Sequence, residues 1–404
     1  MSKQYHLLSS ENIANPYPIY DQLRRNDPVH LDPLLGCWVI TRYVDVLSAF
    51  SNPHLSSERI RGERLRASEW EKLGLLFQSI STQMLFVDPP DHTRLRSVFN
   101  KAFTPHAVES MRTNIQEIVH HLLDAVEDVG RMDIIRDLAY PLPSTVIAEM
   151  LGVPREDHHL IKEWANDFAI FVGNPTMQTR AKVALQSASS LMDYFRSLIL
   201  TRRKHPKDDL LCALIAVEEK SQMLSEEELL ANCLLLLFAG HETTTNLIGN
   251  GLLALMKNPY QLEMLRRNPS LISSSVEELL RYDSPTQWTG RIAKDETEIG
   301  GKKIGKGQGV ILMIGAANRD TDQFSDPERL DITRQENRHI AFGHHRHFCL
   351  GAALARLEGQ IALNTVIHRF TALQIEAQNL EWKSNSALRA LKSLPVRFEK
   401  SGEG

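Results

Sequence analysis

The segment "SEEELLANCLLLLFAGHETTTNLIGNGLLALMKNP", residues 225–259, constrains the fold more than any other. It opens with Ser225 and Glu228 at capping-box spacing and reaches Pro259 without an internal proline. At 1.5 Å per residue, a helix over this stretch is about 48 Å long. Both flanks are apolar on all sides, the pattern of a helix buried in a large core. A chain of 404 residues with 42% hydrophobic content can supply that core. Yet the middle reads "AGHETTT" (239–245). Gly240 costs about 1 kcal/mol against alanine in a helix interior, and three consecutive threonines add smaller penalties. Glu242 places a carboxylate where burial should be deepest. One reading is a bend, with threonine hydroxyls bonded back one turn. The other is a functional site cut into the helix. Both stay open at this point.

The rest of the chain reads as mainly α with a minor β portion, in a single domain spanning 1–404. "NPYPIYDQLRRND" (15–27) is a short helix after prolines, and "CWVITRY" (37–43) alternates like a strand. From Asp91 to Pro285 nearly every segment has helical periodicity, punctuated by proline and glycine. "GGKKIGKGQGVILMIG", "ALQIEAQ" and "LKSLPVRFE" then read as strands and hairpins. The net charge of −4 gives no reason to expect nucleic acid or an anionic membrane as partner. The first residues lack the basic and apolar regions of a signal peptide. The apolar run "LLLLFAG" is far short of the roughly 20 residues needed to span a bilayer. Four scattered cysteines (Cys37, Cys212, Cys233, Cys349) suit a reducing cytoplasm better than a disulfide framework.

A second feature is "FGHHRHFCLG", residues 342–351, which crowds three histidines and a cysteine ahead of a helical segment. Zinc is the first rival, but no second Cys/His pair stands at finger or ribbon spacing, and H-x-x-x-H is missing. A lone cysteine is commonly a small buried hydrophobe. Cys349, however, immediately precedes "LGAALARLEGQIALNTVIHRF", where Leu350, Leu354, Leu357 and Ile361 mark one helix face. A thiolate at a helix N-terminus is favoured by the dipole and by unbonded N–H groups. Gly351 lets a flat ligand approach the backbone closely. A thiolate offered to a metal is chemically sensible here; nothing yet specifies which metal.

The string resembles the haem-binding loop F-G-x-G-x-H-x-C-x-G of the cytochrome P450 family, matched by Phe342, Gly343, His347, Cys349 and Gly351. Further motifs follow the family order: "DHTRLR" (91–96), "AGHET" (239–243), Glu278-x-x-Arg281, "NRD" (318–320) and "DPERLD" (326–331). Each alone is weak, since E-x-x-R occurs by chance everywhere; together and in order they are specific. One departure stands out: the second glycine of the loop pattern is His345 here.

The resemblance implies a cytochrome P450-like fold with the long central helix over haem b (iron protoporphyrin IX), of the soluble bacterial type. It makes Cys349 the metal ligand, an axial thiolate that pushes electron density onto iron. Phe342 is expected over the sulfur, with the Leu350 and Gly351 N–H groups tempering it. His92, Arg96, Arg291 and His347 are expected to meet the haem propionates. Ala239 and Gly240 are expected to leave room for dioxygen. Glu242 and Thr243 become an acid–alcohol pair that delivers protons, as heterolytic O–O cleavage requires. Glu278, Arg281 and Arg329 are read as a structural ion-pair network.

The implied activity is insertion of one oxygen atom from O2 into a hydrophobic small molecule, by hydroxylation or epoxidation. Expected pocket residues are Phe86, Val87, Phe168, Phe171, Leu235, Leu236, Thr286, Trp288 and Thr289, mostly apolar. They suit a polyketide, terpenoid, steroid or fatty-acyl substrate. Electrons are expected from a separate ferredoxin or flavodoxin meeting Arg94, Arg346 and Arg356, with the protein working as a cytoplasmic monomer. The alternatives are a peroxide-driven or C–C-cleaving haem-thiolate enzyme, and a haem-based sensor. The Glu242–Thr243 pair speaks against both a dedicated peroxide user and a sensor.

Overall fold

The computed structural model describes residues 5–59, 80–173, 178–221 and 223–401, with side chains except those of 166, 168–173 and 178–181. Cα packing resolves two compact units where the sequence reading has one domain. The first comprises 1–55, 108–142 and 243–404, the second 56–107 and 143–242. Each is therefore assembled from separated stretches of chain.

In the first unit, β1 (Val29–Asp32) pairs antiparallel with β2 (Cys37–Ile40). A sheet ordered β1-β2-β8-β5-β3 follows, with β8 spanning Gly309–Leu312, β5 Thr289–Ala293 and β3 Leu55–Ser56. β2 and β8 run parallel, and β8 and β5 antiparallel, with Arg291 opposite Val310. The strand expected over 37–43 stops at Ile40, because Tyr43 already begins a helix, α1 (Tyr43–Ser51). The first helical N–H, that of Tyr43, donates to the Asp320 carboxylate (2.8 Å), so the "NRD" aspartate caps it from a distance. Val46, Ala49 and Phe50 of α1 pack in one cluster with Ile40, Val310 and Leu312 of the sheet and with Ile340, two residues before the loop at 342–349.

A three-stranded antiparallel sheet adds β4 (Arg131–Asp133), β10 (Pro395–Lys400) and β9 (Phe370–Ile375) in the order β4-β10-β9. β4 interrupts a region in which nearly every segment was expected to be helical; only three residues long, it pairs with β10 near the C-terminus. β6 (Thr297–Ile299) and β7 (Lys302–Ile304) form a hairpin whose turn, Gly300 and Gly301, has φ of +55° and +76°. Two residues with positive φ are what a tight hairpin turn demands, and glycine supplies them without strain.

The long helix is unbroken: α2 here spans Glu226–Lys257. Its capping box forms as the spacing predicts, with Ser225 N–H donating to Glu228 Oε2 (2.9 Å) and Glu228 N–H to Ser225 Oγ (3.2 Å). The division between the units falls within it, after Glu242. Its C-terminal half approaches α3 (Ile272–Tyr282) and α4 (Ala352–Arg369): a Cβ added at Gly251 would lie 3.1 Å from Leu279 Cδ1 and 3.7 Å from Leu363 Cδ2. A Cβ added at Gly359 would lie 3.0 Å from Leu247 Cδ2 and 3.8 Å from Val276 Cγ1, so this glycine allows the close approach. Among the described residues no helix is long and apolar enough to cross a membrane.

Glu278 and Arg281 are fully buried on α3 and bond bidentately, at 2.8 Å through each nitrogen. Arg281 also donates to the carbonyls of Asn318, Pro327 and Arg329. The third cation of this network is Arg334 (3.1 Å from Glu278), not Arg329 as expected. The Arg329 side chain is exposed, and it contributes only its carbonyl.

Candidate active site

The cysteine loop belongs to the first unit and is shaped by two positive-φ residues, Gly343 (+72°) and His345 (+60°). For Gly343 this conformation is free of strain. At His345 the imidazole-bearing residue occupies the left-handed region where the family pattern has glycine. Residues His345–His347 close a single 3-10 turn, and Cys349 N–H donates back to the Phe342 carbonyl (2.9 Å). Cys349 is exposed and takes part in no disulfide. It stands two residues before Gly351, the N-cap of α4, so it sits just ahead of the helix and not within it. That cap makes no side-chain bond, which leaves first-turn N–H groups for a ligand or solvent. A Cβ at Gly351 would meet nothing within 4 Å. Leu354, Leu357 and Ile361 are buried, as the face reading predicts, while Leu350 lies in the turn before the helix.

Arg291 is buried on β5, with Nη1 donating to the Gly290 carbonyl (2.7 Å) and its guanidinium 5.6 Å from the Phe50 ring centre. The same ring lies 3.7 Å from where a Gly343 Cβ would be. Phe50 thus brings Arg291 and the cysteine loop to one aromatic surface. His344 is exposed and His347 half-buried. Of the three arginines expected to meet an electron donor, Arg346 is exposed, whereas Arg356 binds Glu277 through two nitrogens (2.6 and 2.8 Å).

In the second unit, helix Asp91–Phe99 carries His92 and Arg96 one turn apart on one face. His92 is buried and Arg96 half-buried, with Nε donating to Asn100 (2.9 Å). Arg94 is spent internally on Glu228 (2.9 and 2.5 Å) and Asp91. Hydrogen bonds from Arg94 lower the Glu228 carboxyl below its ordinary range, against the upward push of burial. Glu242 is buried, with its Oε2 3.8 Å from His241 Nε2, and His241 Nδ1 lies 2.7 Å from the Leu237 carbonyl. Ala239, Gly240 and Thr243 are half-buried. The space beside Gly240 is taken up: a Cβ there would meet Ile147 Cγ1 at 3.2 Å. This glycine serves the packing of α2 on helix Pro141–Met150, whichever ligand Ala239 faces.

Of the expected pocket residues, Phe86, Val87, Leu235 and Leu236 are buried, and Thr286 and Thr289 half-buried. Trp288 instead packs on a cluster of Tyr17, Tyr20, Val39 and Met313, so it serves the core. The side chains of Phe168 and Phe171 lie outside what is described. A groove of about 1020 Å³ in the first unit, lined by Tyr17, Arg319, Trp382 and Arg389 among others, contains none of the residues expected to meet haem or substrate. Within it Arg389 pairs with Asp283 and Arg319 with Glu328.

The residues present fit a haem. In the first unit an exposed cysteine stands just ahead of an uncapped helix start, a Cβ at Gly351 would meet nothing within 4 Å, and Arg291 and His347 are of the types that hold a propionate; in the second unit, taken by itself, His92 and Arg96 are of the same types. Among the described residues no three His, Cys, Asp or Glu side chains cluster as a metal-binding set. Glu277, which also lies 3.1 Å from His339 Nε2, was not singled out from the sequence, and neither was His339; adjacency to the E-x-x-R motif and to Phe342 is their only signal there.

The family model described as Cytochrome P450 matches residues 66–398. Cytochrome P450 CYP107DY1 of Priestia megaterium is 41% identical, covering 96% of this chain and 98% of its own. The biotin biosynthesis cytochrome P450 of Bacillus subtilis is 42% identical over 97% and 98%. The crystal structure of P450BioI in complex with an acyl carrier protein ligated to hexadec-9Z-enoic acid superposes with a TM-score of 0.91, at 41% identity and 96% and 99% coverage. The chain belongs to the cytochrome P450 family, monooxygenases that bind haem b through a cysteine thiolate.

Proposed function

We propose that this cytochrome P450 oxygenates an apolar acyl compound, with Cys349 as the haem ligand and Glu242 and Thr243 as the proton-handling pair. The observation that carries the site assignment is Cys349 itself: exposed, in a glycine-shaped loop and directly ahead of an uncapped helix N-terminus. When bound, the haem supplies the iron centre that activates dioxygen and transfers one oxygen atom. The chain's residues do the rest. Backbone N–H groups around Leu350 and Gly351 temper the thiolate. His92, Arg96, Arg291 and His347 neutralise the propionates by charge-assisted bonds. Ala239 would stand beside the place where dioxygen enters, while Gly240 is occupied with the packing against Ile147. Glu242, a buried carboxyl on the helix that also carries Thr243, holds and passes protons inward, and the Thr243 hydroxyl positions the water that receives them.

The buried apolar set Phe86, Val87, Leu235 and Leu236 favours a substrate without charge along its length. The similarity to a P450 solved with a fatty-acyl carrier protein points to a long acyl chain. Electrons are supplied by a separate ferredoxin or flavodoxin. Arg346 is the exposed cation for that encounter, since Arg94 and Arg356 are engaged with Glu228 and Glu277. The protein is read as a cytoplasmic monomer. The test is a spectral titration of the ferric enzyme with free fatty acids, fatty-acyl carrier protein, steroids and terpenoids, followed by product analysis with O2 and a ferredoxin system. Tightest binding and an oxygenated product in the acyl series are expected. Binding only to steroids or terpenoids would overturn the substrate class, and turnover with hydrogen peroxide alone would favour a peroxide-driven enzyme.

A further inference from the structure

We infer that Glu277 and His339 are positioning residues for the cysteine ligand. They hold the Arg356 guanidinium over the Phe342 ring and so keep that ring packed beside the thiolate loop. The inference rests on Cys349 being the haem ligand, as proposed above.

Glu277 precedes Glu278 on α3 and so points about 100° away from it. Glu278 turns inward to Arg281, while Glu277 reaches Arg356 on α4. Arg356 Nε donates to Glu277 Oε1 (2.6 Å) and Nη2 to Oε2 (2.8 Å). His339 Nε2 lies 3.1 Å from Oε2, and the Ala341 N–H donates to His339 Nδ1 (3.2 Å). Because Nδ1 accepts, the ring proton sits on Nε2 and is donated to Glu277. The guanidinium carbon of Arg356 lies 4.5 Å from the Phe342 ring centre. The Phe342 carbonyl in turn accepts the N–H of Cys349 (2.9 Å). A chain of contacts therefore runs from α3 through Arg356 to the residue bonded to the ligand's own backbone.

Exposed ion pairs are commonly worth little. This one differs in three respects: it is bidentate, it shares its carboxylate with an imidazole whose side chain is only 3% exposed, and its cation covers an aromatic face. Burial raises the Glu277 carboxyl, yet bonds from Arg356 and His339 outweigh it and bring it down to about 2, so the carboxylate stays charged at any working pH. The apolar shell around a metal ligand controls solvent access and thereby its potential. Cys349 is exposed as it stands, so in the holoenzyme a Phe342 ring released from Arg356 would widen the access of water to the sulfur. A thiolate bonded to water donates less to iron, which favours the reduced form.

Glu277→Asp and Arg356→Lys both preserve charge, so any change they cause reports position. The experiment poises holoenzyme at a fixed potential with a dye and reads the ratio of reduced to oxidised haem. It is run in the wild-type and Phe342→Ala backgrounds. Each variant is expected to raise the ratio by roughly threefold with Phe342 present and to leave it unchanged without it. No change in either variant, or an equal change in both backgrounds, would overturn the inference. The ferrous carbon monoxide spectrum of the wild type is recorded alongside. If its thiolate signature is lacking, the Cys349 assignment fails independently of the clamp. Should Glu277→Asp fold poorly, Arg356→Lys carries the same readout.

Discussion

At position 345 the chain holds an imidazole-bearing residue at φ +60°, where glycine would carry no strain. The left-handed region costs a side-chain-bearing residue roughly 1–2 kcal/mol, and glycine's extra unfolded-state freedom returns about 0.5–1 of that. His345→Gly is therefore expected to retain haem and to gain up to about 1 kcal/mol, read as a melting temperature higher by roughly 1–3 °C. A lower melting temperature would mean that the ring makes a contact that outweighs the strain. The proposed ligand loop could be singled out from sequence because a thiol, glycines and a histidine stand together in one short stretch. The contacts of Glu277 and His339 could not be, because they join α3, α4 and the stretch before the loop, which no local pattern encodes. Glu242 and Thr243 were legible as an anomaly, polar residues in a helix that is otherwise apolar. Thr243→Ala is expected to bind substrate but to release severalfold more hydrogen peroxide per product, and Glu242→Gln to slow turnover without loss of binding. Unchanged coupling in both variants would remove them from the proton path.

Among the elements, α2 was the most predictable, since a capping box and a proline-free apolar run leave few alternatives. Its start has a further support that spacing could not reveal: the box carboxylate Glu228 also binds Arg94. Ser225→Ala should cost about 1 kcal/mol of stability. Glu228→Gln has a signed pH signature. Its folded-state carboxyl is lowered by Arg94, so its contribution is present above the ordinary carboxylate pKa of about 4.3 and is lost as pH falls through the lower folded value. The variant should accordingly lose less stability than wild type on acidification below about pH 4.5, and parallel acid limbs for the two would contradict this. Short elements were the hard ones. β4 is three residues long and is paired only through the C-terminal strand β10, and β2 stops early because Asp320 caps the helix that follows.

Across the whole chain, the first unit gathers its parts from both termini, and buried charge helps to specify the assembly. Glu278 and Arg281 are both fully buried, and they tie α3 to the segment running through Asn318, Pro327, Asp331 and Arg334. Removing one partner leaves an unpaired buried charge, at a cost of about 3–5 kcal/mol. Glu278→Ala should thus yield little folded protein, whereas loss of the half-exposed Glu277 should leave the fold intact. Motif order revealed the family, but the replacement of Arg329 by Arg334 in this network, and the packing of Trp288 into the core, follow from three-dimensional placement alone. The central claim is that one thiolate, and no histidine of the loop, holds the metal. The most direct test is the absorbance of the ferrous carbon monoxide complex in wild type, Cys349→Ser and His345→Gly. The red-shifted band of a thiolate ligand should be present in wild type and His345→Gly and lost in Cys349→Ser. A band that survives Cys349→Ser and disappears in His345→Gly would contradict the account.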